Sequence, residues 1–312
     1  MATERIQRII DDTAAKTTAR LGVFFKNLST GETAGTRIDE VFPTASVFKV
    51  FVLAELLRRW RQEGLSLGAR LPLLPGDRSE GSGVLAMLVD GITPTLLDYA
   101  HLMMMISDNT AADILFNLLG RDAIRENVLE PLGLVKTKCD LSCRDLIAVS
   151  YNAPAGRPYG EFDKWCAANR ASFGENWAAL RNAPAYTGGL ERNDETTPFE
   201  VAKILEAFHE GKWVDSEASA KAVEIMLKCQ TNARIPKYLP AGCRAAHKTG
   251  SMLRVANDAG IVYTPRGDFI LSLFYNGNVA SEEEYAANAS GRLGDELLAN
   301  LSRDVCAAFL EG

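Results

Sequence analysis

Segments with the pattern of β-strands lie at both ends of this 312-residue chain, and helical patterns fill the middle. Near the N-terminus an amphipathic helix pattern over 6–14 precedes an apolar strand at 21–27 that ends in a Ser-Thr-Gly turn. Near the C-terminus the segments 244–249, 258–264 and 269–276 have the composition of consecutive antiparallel strands. We therefore expect an α/β (α+β) fold, in which an antiparallel sheet built from both chain termini is flanked by helices.

The middle of the chain predicts an all-helical domain inserted into the sheet domain. Four of its segments have helical periodicity: 47–61, 95–105, 110–119 and 198–209. A last helical stretch, over 281–310, opens with a serine and three glutamates, which is typical of a helix N-terminus. We assign 1–45 and 231–312 to the α/β domain and 46–230 to the all-helical domain.

Composition indicates a globular protein without a nucleic-acid or membrane partner. The chain has 34 basic and 40 acidic residues, a net charge of −6, and an apolar fraction of 47%. Its basic cluster, Arg58, Arg59 and Arg61, falls at a predicted helix end and is typical of a solvated surface. No apolar run is long enough to cross a bilayer, and acidic residues stand where a signal peptide would be apolar. We expect a cytoplasmic protein, or a periplasmic or secreted one whose leader was removed, of undetermined oligomeric state.

The cysteines and histidines predict neither a metal site nor a cofactor. Six cysteines form no Cys-x-x-Cys pair: Cys139, Cys143, Cys166, Cys229, Cys243 and Cys306. We predict that they are free thiols. The isolated histidines, His101, His209 and His247, are predicted to be structural or surface residues.

Three short polar motifs carry the chemistry that the sequence suggests. They are Ser46-x-x-Lys49, Ser107-Asp108-Asn109 and Lys248-Thr249-Gly250. Each is weak alone, but all three in this order should occur by chance in on the order of one chain in a thousand. Ser46 stands at the start of an apolar helix pattern, where backbone amides favour developing negative charge, and Lys49 follows one turn later on the same face. The pair predicts a serine nucleophile with a lysine able to reach its hydroxyl.

This set resembles the motifs of class A β-lactamases and penicillin-binding proteins. The flanking residues, Phe42-Pro43-Thr44-Ala45 before the serine and Thr110-Ala111-Ala112-Asp113 after the second motif, add to the resemblance. The resemblance implies a serine hydrolase that forms an acyl-enzyme at Ser46 with a carboxylate-bearing amide, β-lactams being the expected class. It also implies the two-domain arrangement described above.

By resemblance, Ser107 would carry a proton to the leaving nitrogen, Asn109 would bind a substrate amide carbonyl, and Asp108 would be structural. Lys49 and Lys248 would complete the catalytic set.

The third motif falls on a predicted edge strand, where an extended ligand could pair with the backbone. Lys248 and Thr249 would bind the carboxylate, and Gly250 would leave room for substrate. The amide of Ser251, with that of the nucleophile, would form the oxyanion hole. Arg254 is a further candidate for the carboxylate anchor.

The sequence departs from the class A pattern where that family carries its deacylating glutamate, in a Glu-x-x-x-Asn motif. Cys143 and Ile147 stand at the two positions, and an aromatic-rich insertion at 144–190 follows. Three explanations remain open. Glu161, Glu175 or another carboxylate of the insertion acts as a substitute base, Lys49 or Ser107 serves in deacylation, or water is activated poorly and the acyl-enzyme is hydrolysed slowly.

Two other functions also remain open. A peptidase, amidase or esterase for another small amide would use the same nucleophile, and a penicillin-binding sensor would be acylated without turnover.

Overall fold

The computed structural model describes most of the chain; the described residues are 2–150, 160, 161, 164, 168, 193–252, 254–277 and 292–312. The strands in this part are β1 (Arg20–Asn27), β2 (Thr33–Thr36), β3 (Phe42–Pro43), β4 (Glu195–Thr196), β5 (Arg244–Met252), β6 (Val255–Thr264) and β7 (Gly267–Asn276). The α-helices are α1 (Ala2–Ala15), α2 (Lys49–Gln62), α3 (Leu96–Met105), α4 (Asn109–Leu119), α5 (Arg121–Ile124), α6 (Cys143–Ser150), α7 (Pro198–His209), α8 (Ser216–Met226) and α9 (Arg292–Glu311). Short turns of 3₁₀ helix lie at Ala45–Phe48, Pro75–Asp77 and Leu85–Met87, and a π-helical turn at Arg125–Leu129.

The main sheet joins the two ends of the chain, as the sequence predicts. Its order is β2-β1-β7-β6-β5, and the pairs are antiparallel. The junction is the pairing of β1 with β7, which runs from Arg20 opposite Asn276 to Asn27 opposite Phe269. The strand that carries the third motif, β5, is an edge strand, also as predicted. Within the described residues, one side of β5 thus has no neighbouring strand.

Each face of the sheet covers a separate hydrophobic core. On one face α1 and α9 pack with side chains such as Ile6 and Phe309 against β1 and β7. On the other face the remaining helices surround α2, which is buried over nine successive residues from Lys49 to Leu57. Apart from Lys49 and Glu55, this part of α2 is apolar on all sides, as expected for a helix at the centre of a core. The first lysine of the motifs is therefore held in the interior of the protein.

The basic cluster at the end of α2 is paired with acidic side chains. Arg58 and Arg59 contact the buried carboxylate of Glu55, at 2.7 and 2.9 Å, and Arg61 contacts Asp215 at 2.7 Å. The burial of Glu55 is offset by these two charge-assisted hydrogen bonds. Arg61 thus connects α2 with the start of α8, while Arg58 and Arg59 pair within α2.

Two details of the predicted elements differ. Ser46 lies in the 3₁₀ turn Ala45–Phe48 ahead of α2, and not in the first turn of α2 itself. The C-terminal helix is described from Arg292, and residues 281–291 lie outside the described residues. Among the helices of the described part, none is both long and apolar enough to cross a membrane.

The two segments that flank 144–190 are joined to each other by hydrogen bonds. The Lys138 amide donates to the Glu195 carbonyl at 2.8 Å. The Asp194 carboxylate accepts from the amides of Asp140 and Leu141, at 2.8 and 3.2 Å. Asp194 is fully buried, and burial raises its pKa well above the usual value. The segments on either side of 144–190 therefore lie next to each other in the fold.

Replacing Asp194 by alanine should destabilise the protein more than replacing it by asparagine. Alanine leaves two partly buried amides without an acceptor, at a cost of about 1 to 3 kcal/mol. Asparagine keeps an acceptor oxygen and resembles the neutral acid that burial favours. We expect thermal unfolding to show a clear decrease in melting temperature for Asp194→Ala and a smaller one for Asp194→Asn. Equal decreases would mean that the acceptor is not what stabilises this junction.

Candidate active site

The turn that carries Ser46 is held from two sides. The Thr44 amide donates to the Asp194 carbonyl at 2.9 Å. The Asn257 side-chain amide of β6 donates to the carbonyls of Pro43 and Thr44, at 2.7 and 3.1 Å. Ala45, just before the serine, has a positive φ of 42°, a conformation that L-residues rarely adopt and that neighbouring contacts must maintain. Ser46 is thus presented at a fixed place on a strained turn.

Gly250 allows β5 to approach this turn. A Cβ built on Gly250 would lie 2.6 Å from the Thr44 carbonyl oxygen and 3.1 Å from the Ser46 nitrogen. The sequence predicted that a glycine here makes room for substrate. The structure gives a different reason, because the space is filled by the backbone of the protein itself.

The three motifs meet at the hydroxyl of Ser107. The Lys49 ammonium donates to Ser107 Oγ at 3.2 Å, and the Lys248 ammonium donates to the same oxygen at 3.0 Å. Lys49 also donates to the Ser107 carbonyl and to Asn109 Oδ1, both at 2.8 Å. Ser107 has a positive φ of 58°, so its conformation too is maintained by these contacts.

This arrangement determines where the Ser107 proton can go. A hydroxyl has two acceptor lone pairs and one hydrogen to donate. Because the two lysines take both lone pairs, the hydrogen is directed elsewhere, and Ser107 lines the cavity that also contains Ser46. A group in the cavity can therefore receive a proton from Ser107, which the lysines can then replace.

The two lysines are buried within reach of one hydroxyl, and this changes the basicity of one of them. Lys49 and Lys248 are both fully buried. Burial, reinforced by the positive charge of Lys49, lowers the pKa of Lys248 to about 7. Lys248 is thus poised to change charge near neutral pH.

The cavity has a volume of about 180 Å³ and a cationic wall. Its lining residues are Ser46, Ser82, Ile106, Ser107, Thr231, Ala233, Arg234, Thr249, Ser251 and Asp295. Arg234 is 4% exposed and contacts Asp295 at 2.6 Å, the Gly250 carbonyl at 2.8 Å and Ser251 Oγ at 2.5 Å. With Lys248 behind Thr249, this wall favours an anionic group.

Arg234 was missed by the sequence analysis, which proposed Arg254. Arg254 lies in the turn between β5 and β6, is 4% exposed, and is not among the lining residues in the described part of the chain. The arginine that lines the cavity, Arg234, lies in the loop before β5. In the sequence it is marked only by its position 14 residues before Lys248, and this spacing predicts nothing until the fold is known.

Other predicted residues are used by the protein itself. Asp108 caps α4 through the Ala111 amide at 2.9 Å and accepts from two amides of the loop before it, so it is structural as predicted. Asn109 donates to the Glu80 carbonyl at 2.8 Å and accepts from Lys49, so both ends of its amide are engaged. Its prediction as a ligand for a substrate carbonyl stays a prediction.

Of the two glutamates predicted as substitute bases, the structure describes one. Glu161 is 44% exposed at its side chain and pairs with Lys164 at 2.6 Å, and Glu175 lies outside the described residues. The position that the resemblance assigns to a glutamate is occupied by Cys143, whose side chain interacts with Lys49 and Asp113. Burial raises the pKa of Cys143 well above its ordinary value, so this group is a neutral thiol.

Asp113 of α4 anchors the start of α6 beside that thiol. Its carboxylate accepts from the amides of Cys143 and Arg144, at 2.6 and 3.1 Å, and from the Ser79 hydroxyl at 2.5 Å. Burial raises the pKa of Asp113, and these three donors oppose that effect. Its oxygens are thus occupied by donors of the protein.

Comparison with known proteins agrees with the fold and with the motifs. A model of the family described as "Beta-lactamase enzyme family" matches residues 1–301. The chain belongs to this family. A β-lactamase of Streptomyces cellulosae is 26% identical over 260 residues, which are 81% of this chain and 70% of that protein. The β-lactamase of Sphaerobacter thermophilus has a TM-score of 0.75 at 25% identity and covers 98% of both chains. The fold is also that of PBP-A, with a TM-score of 0.75 at 22% identity over 99% of this chain and 97% of that one.

Family membership agrees with the site geometry. The protein is a serine hydrolase of the β-lactamase type that acts on C–N amide bonds.

The charge of Lys248 should titrate near pH 7. The ¹³Cε resonance of labelled lysines, assigned by its loss in Lys248→Arg, should move with a midpoint near the pKa of about 7. In Lys49→Met the midpoint should rise, because the positive charge that lowers the Lys248 pKa is gone. A midpoint above 9 in the wild type would contradict the effect of burial on Lys248.

Proposed function

We propose that this protein forms an acyl-enzyme at Ser46 with β-lactams, and that hydrolysis of the acyl-enzyme is slow. The observation that carries the proposal is the shared hydrogen-bonding of Ser107 by Lys49 and Lys248 on the wall of the cavity that contains Ser46. It supplies the proton-transfer groups for acylation.

In the proposed acylation, Ser46 Oγ attacks the lactam carbonyl and gives up its proton to Ser107, whose own hydrogen passes to the neutral amine of Lys248. The C–N bond then breaks, and the leaving nitrogen takes the proton of Ser107. Each transfer moves a proton between groups that are hydrogen-bonded or share the cavity, which is the geometry that general acid–base catalysis requires. The amides of Ser46 and Ser251 are proposed to bind the developing oxyanion.

The carboxylate of the substrate is proposed to bind at Thr249, Ser251 and Arg234. These groups lie on the cationic wall, with Lys248 directly behind. A bound carboxylate would favour the protonated form of Lys248 and so raise its pKa from about 7. Substrate binding near neutral pH should then be coupled to proton uptake.

Slow deacylation is inferred from the groups around Lys49. A water molecule must lose a proton to attack the ester, and a carboxylate at the position of Cys143 would take it. Cys143 is a neutral thiol there, and the neighbouring Asp113 carboxylate already accepts from three donors. Neither group is suited to activate water.

Acylation is tested with penicillin G by intact-protein mass. We expect one adduct per chain in the wild type and none in Ser46→Ala, because only the hydroxyl forms the ester. Peptide mapping should locate the adduct at Ser46. An adduct that persists in Ser46→Ala would exclude this serine as the nucleophile.

Slow deacylation is tested by supplying a base. The double substitution Cys143→Glu with Asp113→Asn should increase the rate of adduct loss by about 100-fold, in the range of general base catalysis. Cys143→Glu alone should increase the rate of adduct loss by less, because the Asp113 carboxylate next to it disfavours a second negative charge.

The matched control is Cys143→Gln with Asp113→Asn, which has the same shape but no base. It should deacylate no faster than the wild type. If the wild type already turns over rapidly, a carboxylate elsewhere is the base, and Glu161→Gln and Glu175→Gln would identify it.

A penicillin-binding protein without turnover is a second candidate, and Cys143 is the observation that favours it. Stoichiometric acylation with no product would support it. A peptidase or amidase would instead cleave D-amino-acid peptides or simple amides faster than a chromogenic cephalosporin.

A further inference from the structure

A carboxylate, an imidazole and a thiol lie together behind the cavity wall, apart from the groups used in acyl transfer. His247 Nδ1 of β5 is 2.8 Å from Asp258 Oδ1 of β6, and Nε2 of the same ring is 3.3 Å from Asn232 Oδ1. The Cys229 thiol is near enough for its charge to act on the ring. His247 and Asp258 are almost completely buried, and Cys229 is 7% exposed. This order of groups stabilises a thiolate beside an imidazolium.

The charges that face the thiol favour its ionised form. Burial raises the pKa of Cys229, but the hydrogen bond and charge of His247, the charge of Lys248 and the Thr231 hydroxyl together lower it to about 7. Burial likewise lowers the pKa of His247, but Asp258 and Cys229 raise it to about 10. Between these values the thiolate–imidazolium pair predominates.

At three other described cysteines the effect of burial is larger than that of any neighbouring charge. Burial raises the pKa of Cys139 and Cys143 well above the ordinary value, and burial next to Cys243 raises the pKa of Cys306 to about 12. Cys229 is therefore distinguished by its neighbours within the described part of the chain.

A short hydrogen-bonded path connects this thiol with the cavity. Cys229 Sγ lies 3.1 Å from Thr231 Oγ1, and Thr231 Oγ1 lies 2.8 Å from Thr249 Oγ1. Both threonines line the cavity. Gln230, next to the cysteine, is exposed. A small molecule in the cavity is thus separated from the thiol by one threonine side chain.

We propose that Cys229, activated by His247 and Asp258, is a covalent modification site for small disulfides, and that its modification displaces Thr231 and Thr249 at the cavity. The Cys229 thiolate attacks one sulfur of the disulfide, a protein–sulfur bond forms as the original S–S bond breaks, and the second sulfur leaves as a thiolate. The disulfide is the oxidant, and no other reagent is consumed. Ser46 takes no part in this step.

The experiment exposes the full-length protein to hydroxyethyl disulfide between pH 5.5 and 9 and maps the modified peptides by mass. We expect Cys229 to react first, with a rate that rises through pH 7 and levels off by about pH 8 because the thiolate is then formed. At pH 7, His247→Gln should react about tenfold more slowly, as expected for a thiol of ordinary pKa. Asp258→Asn should also slow the reaction, since the charge that holds the imidazolium is removed.

Reaction at Cys243 in preference to Cys229, or a Cys229 rate that rises only above pH 8 in the wild type, would overturn the proposal. The wild-type pH profile requires no substitution, so a variant that fails to fold does not affect it.

The effect on the cavity is measured separately, as the rate of Ser46 acylation by penicillin G before and after treatment. We expect treatment to slow acylation at least fivefold in the wild type and to leave the rate unchanged in Cys229→Ser. Equal rates before and after complete modification would refute the link through Thr231. If penicillin G does not acylate the protein at all, the proposed function fails, while the peptide map still tests Cys229.

Discussion

The close approach of β5 to the turn before α2 is the contact on which the site depends. Gly250 permits it, because any side chain there would collide with the Thr44 carbonyl, and Asn257 on the next strand holds the same turn. Thr44 and Gly250 are far apart in sequence and come together only because β1 pairs with β7 and so joins the chain ends. The nucleophile, the lysine of β5 and the arginine before it are thereby placed around one cavity.

The site concentrates positive charge in a region from which water is largely excluded. Lys49, Lys248 and Arg234 are each at most 4% exposed, while Asp295 is the acid paired with the arginine. Burying a cation costs free energy unless hydrogen bonds and counter-charges offset it. Lys49 and Arg234 are each held by at least three hydrogen bonds. Lys248 makes two hydrogen bonds, which offset less of the cost of burying its charge, and its pKa is lowered as a result. An anion entering the cavity would relieve that cost.

Sequence alone predicted the elements whose patterns are strong. The sheet from both termini, the edge position of β5 and the helices around α2 follow from strand alternation and helical periodicity, which local residues determine. It could not predict Arg234, because an isolated arginine in a loop has no pattern, nor the pairing of His247 with Asp258, because partners on neighbouring strands are set by register. The role of Gly250 could not be predicted for the same reason, because the Thr44 carbonyl that it packs against belongs to a distant part of the chain.

The junction formed by Asp194, Asp140 and Leu141 has a consequence for how this protein can vary. Since these flanking segments are hydrogen-bonded to each other, the entropic cost of closing the chain between them depends only weakly on the number of residues in between. Loop closure costs grow only slowly with length once the ends are fixed. This stretch can therefore change in length during evolution at a small entropic cost, while the junction that closes it stays in place.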